Sequence, residues 1–315
     1  MLFHERFSLP KDDQHVVDPA WFEGQKQRRV QYNDPILRDC LAKEVDAFKA
    51  FHDGHMNADE AVLTMTRPIS TSPVPALGGY SDEILAVCDL WHVIIAALVE
   101  WPSAHTPDTF ALLDAMVKVP GKLHNGEALD HDGEKLTWAR FPYFSFAWHE
   151  SIGGDLQPGQ ICRQYSDSTL LASGRRLYLK MKDIEAQLVA KHVVAMNKSM
   201  IQYIIRALEK KIDDSDEQLA PGEATAYSQV KLDFHIPAIS SMFKYNRRQV
   251  YDQVVQNELR DWTQGQLPVE AREFESGAER WSFWSRRLAE LAQGDSDDQV
   301  KVAAQASLEF MSLDM

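Results

Sequence analysis

The chain has 315 residues, 44% of them hydrophobic and 25% charged, with a formal net charge of −14 from 47 acids against 33 Lys and Arg. That balance repels phosphate backbones, and the local basic spots "GRRL" and "NRRQ" hold only two bases each, which excludes nucleic acid as an expected partner. Cys40, Cys88 and Cys162 form no CxxC pair and are odd in number, the start "MLFHERFSLPKDDQH" lacks an apolar leader, and the apolar run Trp91 to Trp101 is too short to span a bilayer, so a cytoplasmic chain without disulfides or a membrane partner is expected.

Helix signals dominate in chain order. The residues before Val30 read as a tail. "NDPILRDCLAKEVDAFKAFHDG" opens with Asp34 as N-cap and Pro35 at the first helical position, and stops at Gly54. Asn57 and Glu60 have capping-box spacing. Ser81 opens a helix that runs to Pro102, apolar on nearly every side from Leu90 to Val99 and therefore expected at the centre of the fold. Thr106 and Pro107 start another, whose Phe110, Leu113 and Val117 share a face. After the loop "HNGEALDHDGEK" comes the aromatic stretch "LTWARFPYFSFAWHES", read as a helix or turn-helix. Helices follow over "SGRRLYLKMKDIEAQLVAKHVVAM", "KSMIQYIIRALEKKID" and "IPAISSMFKYNRRQVYDQVVQNELRDW". In "SGAERWSFWSRRLAELAQG", Ser276 and Glu279 form a capping box, and Trp281, Trp284, Leu288 and Leu291 recur at 3-4-3 spacing. A last helix is placed from Ser296, with Gln299 at capping-box spacing, to about Met311. The best strand candidate is "VKLDFHI", Val230 to Ile236. The expected fold is all-α, an irregular multi-helix bundle around a central apolar helix. Residues 1–29 are read as a tail and 30–315 as a single helical domain, with room for two lobes meeting near 150–175.

Several landmarks occur in a fixed order: Leu90-Trp91 followed by Pro102 and His105, then Trp138 and Pro142, "RALE" at Arg206 to Glu209, Trp262 near Gly265, and "ERWSFW" at Glu279 to Trp284 before a helix ending in Met311. In this the chain resembles a fungal family known as domain of unknown function 3632, over roughly residues 30–311. One departure is Arg140 in "WARFP", where the family element carries an acid. The resemblance implies a fungal origin and a helical fold, and carries no activity, cofactor or catalytic residue with it.

The candidate site is the aromatic stretch. Trp138, Phe141, Phe144 and Trp148 lie at helical spacing and build one face, while Tyr143 and Phe146 point elsewhere, so the segment is expected to be buried on more than one side. Such stripes are most often core packing. The functional alternative sets His149 or Glu150 at the rim of an apolar pocket, where burial turns a carboxyl into a usable acid. Trp91 would line the same space. His92, the one polar side chain between Leu90 and Val99, is expected to be buried, as a satisfied core histidine or an acid/base group. His192 and Asn197 carry the same ambiguity, and Arg206 and Glu209 at i, i+3 spacing read as an ion pair.

Metal binding is weakly signalled. His124, Asp130, His131 and Asp132 match no zinc pattern, and His52 and His55 suit a helix C-terminus. "DDSDE", Asp213 to Glu217, could hold Mg²⁺ as in class I terpene cyclases. No second metal motif follows it, and it reads as a solvated loop. The expectation is therefore a cofactor-free protein that encloses an apolar or aromatic small molecule and assists an isomerisation or cyclisation in secondary metabolism. His149, Glu150 and His92 would be catalytic, and Trp138, Phe141, Trp148 and Trp91 would bind substrate, with no metal. The alternative is a non-catalytic scaffold whose partner is another protein or a second copy of the chain.

Overall fold

Short-range capping signals fix several helix boundaries. A computed structural model describes residues 16–27, 35–71, 82–120, 129–131, 134–152, 158–165, 167–196, 198–209, 231–255, 274 and 276–312. The chain divides into two compact units, Met1–Gly153 and Gly154–Met315.

The first unit contains α1 (Pro19–Gln27), α2 (Pro35–His52), α3 (Ala58–Thr71), α4 (Asp82–Glu100), a 3₁₀ turn at Ser103–His105, α5 (Thr106–Met116), a hairpin of β1 (Leu129–His131) and β2 (Glu134–Leu136), a 3₁₀ turn at Trp138–Arg140, and α6 (Phe144–Ile152). Helix α2 ends as expected at Gly54, whose φ of 76° suits glycine. Gly54 N–H donates to Phe51 O at 3.0 Å and His55 N–H to Ala50 O at 2.8 Å, the two bonds of a Schellman cap. The capping box at α3 is reciprocal: Asn57 N–H donates to Glu60 Oε2 at 3.1 Å and Glu60 N–H to Asn57 Oδ1 at 2.9 Å.

Helix α4 is the centre of this unit. Val87, Leu90, Trp91, Ile94, Ile95 and Val99 are fully buried, and α2, α3, α5 and α6 pack around it. No helix among the described residues is long and apolar enough to cross a membrane.

The second unit contains α7 (Pro158–Gln164), α8 (Ser168–Ala190), α9 (Lys198–Glu209), α10 (Leu232–Val255), α11 (Gly277–Gln293) and α12 (Asp298–Ser312). Asp167 caps α8 by accepting from Thr169 and Leu170 N–H, and Ser276 caps α11 by accepting from Glu279 N–H at 3.2 Å. Trp281, Trp284, Leu288 and Leu291 form the buried face of α11, as their spacing predicts. Helix α10 is the hub here, packed by α8, α9, α11 and α12. It kinks at Asn246, whose side-chain amide donates to Ala186 O of α8 at 2.7 Å.

Five local expectations are corrected. Part of the presumed tail is α1, because Asp18 accepts from Ala20 N–H at 2.9 Å, Pro19 presets the first turn and Phe22 is buried. The strand candidate at Val230 to Ile236 is helical from Leu232, since Phe234, Ala238, Met242 and Phe243 continue a buried helical face. The presumed loop contains the hairpin, in register Leu129↔Leu136 and His131↔Glu134, and the sequence between its strands is Asp-Gly, a strong hairpin pair. Asp297, not Ser296, caps α12, accepting from Gln299 N–H at 2.8 Å. Val117 is exposed, and Leu112 and Met116 join Phe110 and Leu113 in the core. No cysteine is disulfide-bonded: Cys40 and Cys88 are buried thiols and Cys162 is half-buried, where burial raises its pKa.

Candidate functional site

The aromatic stretch is a turn followed by a helix, and its turn is built on two left-handed residues. After the 3₁₀ turn at Trp138–Arg140, Phe141 has φ of 50° and Tyr143 has φ of 61°. Each costs about 1–2 kcal/mol for a residue with a side chain, so the surrounding packing must impose them. They flank Pro142, whose carbonyl accepts from the Trp91 indole N–H at 2.6 Å. This bond locks the turn to the central helix α4.

The rings then close on one another. Trp91 lies 5.8 Å from Trp138, 6.2 Å from Phe141 and 5.3 Å from Phe144, centroid to centroid, in edge-on or tilted geometry. Trp91, Trp138, Phe144 and Trp148 have 0% of their surface accessible, so no space large enough for water touches them. These contacts are those of a packed core. Phe146, expected to be buried on a second side, is exposed because only one face of α6 meets α4.

The three sequence-predicted acid/base residues lie outside this core. His92 on α4 is 23% exposed at its side chain rather than fully buried, and its Nε2 lies 3.6 Å from Oε2 of Glu150 on α6, itself 59% exposed. The reason is geometric: α4 is covered on several sides, but the position of His92 meets the solvated end of α6. An imidazole beside a carboxylate can hold or pass a proton to a group at the surface. His149 is exposed, and the structure does not join it to that pair.

Other predicted positions divide the same way. His192 is exposed, with φ of 58°, just after α8. His124, Asp132, Asn197 and the "DDSDE" run lie outside the described residues, as do the side chains of Asp130, His131 and Arg206. His55 is exposed. His52 lies tilted to Trp101 and edge-on to His105, with centroids 4.8 and 5.3 Å away, and burial followed by the neighbouring His105 lowers its pKa. Among the described residues, no group of three or more His, Cys, Asp or Glu could hold a metal ion.

Sequence reasoning missed a buried charge cluster in the second unit. Glu209, at the end of α9, accepts from the Trp284 indole N–H at 2.7 Å, and Arg280 Nε lies 2.9 Å from the same oxygen. Burial pushes the Glu209 carboxyl up to about 7, against the opposing pull of Arg280 and the indole bond. The partners stand in "RALE" and "ERWSFW", but nothing in either motif says that they meet. A shallow hollow of 280 Å³ also lies in this unit, lined by Ser285, Gln305, Leu308, Glu309, Met311 and Ser312, none of them a predicted site residue.

No curated protein and no solved structure matches the chain. A family model described as "Protein of unknown function (DUF3632)" matches residues 91–288, a span that runs from Trp91 through both of those motifs. By that match the chain belongs to the DUF3632 family.

Proposed function

We propose that the protein is a non-catalytic helical interaction module that works by presenting its surface to another protein. The observation that carries this reading is the filled aromatic centre: Trp91, Trp138, Phe144 and Trp148 have no accessible surface. A small-molecule site of the ordinary kind keeps a cavity of about 300–1,000 Å³ open between such rings. The net charge of −14 favours a partner with a basic face. Three unbridged cysteines suit a reducing compartment such as the cytoplasm.

A second reading rests on the approach of His92 to Glu150 at 3.6 Å. In it, the pair acts as a surface-facing acid/base on an apolar small molecule of secondary metabolism. Trp91, Trp138, Phe141 and Trp148 would then supply a rigid wall behind the pair, with His149 at the rim.

A thermal-shift and intrinsic-fluorescence survey against apolar and aromatic small molecules separates the two. The interaction reading expects no saturable stabilisation, together with a salt-sensitive crosslink to a basic protein in native extract. Saturable stabilisation that disappears in His92→Ala, with the fold intact, would overturn it in favour of the second reading.

A further inference from the structure

We propose that Glu209, Arg280 and Trp284 form a proton-operated latch between α9 and α11: Glu209 takes up a proton at Oε2 as pH falls, and the junction is held more firmly in acid than in alkali. The geometry divides the carboxyl into two unlike oxygens. Oε1 faces both the Trp284 indole at 2.7 Å and Arg280 Nε at 2.9 Å. Oε2 is buried and has no hydrogen-bond partner among the described residues, on a side chain only 1% exposed. A buried carboxylate oxygen left unpaired is costly, and a proton there removes the charge while leaving Oε1 to the Trp284 indole N–H.

The cation is not stranded by that step. The Arg280 guanidinium lies 5.2 Å over the ring of Phe274, which supports it when Glu209 is neutral. The surroundings make the response depend on this one carboxyl. Helices α10 and α11 pack against α9, and among the described residues Arg280 of α11 is the one charged group whose field bears on Glu209. The neighbouring acid Glu279 is exposed and belongs to the cap of α11.

The sign follows from linkage. In the folded chain Glu209 keeps its proton up to about 7, against 4.5 for an ordinary glutamate. Its stabilising contribution is complete below 4.5, declines as pH rises from 4.5 to about 7, and is lost above that.

Two measurements on the full chain test the latch. Carbon-13 NMR of glutamate carboxyls should show one group titrating near pH 7, close in space to the Trp284 indole proton. Glu209→Gln keeps the shape and the acceptor but cannot titrate. Between pH 5 and pH 8, the unfolding equilibrium constant of the wild type should rise about tenfold or more relative to that of the variant. The idea is overturned if every glutamate titrates below about 5.5, or if wild type and a folded Glu209→Gln have parallel pH profiles. Should the variant fail to fold, the NMR titration decides alone.

Discussion

Replacing Trp91 with Phe tests whether the aromatic turn is held by its bond to α4. The substitution keeps a ring at the centre of the cluster but deletes the indole N–H that meets Pro142 O at 2.6 Å. Leaving a buried carbonyl without that donor costs about 1–3 kcal/mol. The smaller ring also leaves a void beside Trp138 and Phe144, both fully buried, which adds about 1–2 kcal/mol. The central figure is about 3 kcal/mol, and at about 2–4 °C per kcal/mol for a unit of this size the melting temperature falls by about 6–12 °C. Differential scanning calorimetry measures it directly, on whichever transition belongs to the first unit. Near-ultraviolet circular dichroism should lose aromatic signal in parallel, because the turn that holds Phe141 and Tyr143 left-handed loses its anchor. A transition within about 2 °C of the wild type would refute the reasoning, since it would mean that packing alone fixes the turn.

Other substitutions probe the remaining elements. Gly277→Ala should destabilise the second unit, because an added Cβ would stand 1.9 Å from Val254 O, a backbone atom that cannot turn aside; a thermal melt within 1 °C of wild type would contradict that packing. Gly24→Ala on the exposed face of α1, where a Cβ meets nothing within 4 Å, should raise stability by about 0.5–1 kcal/mol in urea unfolding. Asn57→Ala removes the reciprocal cap of α3 and should cost about 1 kcal/mol by the same assay. His52 has a pKa below its ordinary 6.5, so its contribution is present above 6.5 and lost as pH falls through the depressed value; His52→Gln should flatten the acid side of the wild-type stability profile.

Elements whose signals are local were legible in the sequence. The Asn57–Glu60 box, the Ser276 cap and the Gly54 stop each depend on residues within one turn, and each sits where its spacing places it. The buried face of α11 follows from the 3-4-3 recurrence of Trp281 to Leu291 for the same reason. The aromatic stretch was legible as a core segment and as a helix or turn-helix, but not the backbone of its turn, which rests on two left-handed residues around Pro142. A proline that disfavours right-handed backbone at Phe141 was the available hint.

The candidate site was only partly legible. The sequence singles out His92 as an odd polar residue in an apolar helix, but its exposure depends on where α6 stops covering α4. Glu209 meets Trp284 across 75 residues, and Trp91 meets Pro142 across 51. Pairing at that range is decided by how whole helices stack, which no spacing rule encodes.

The unbridged thiols give each half of the molecule its own clock. Cys40 and Cys88 are concealed within the first unit and Cys162 sits in the second, so the rate at which a thiol reagent reaches each one times the breathing of its own surroundings. With no chromophore attached and no residue changed, such labelling would reveal whether a bound partner quiets one half, the other, or both.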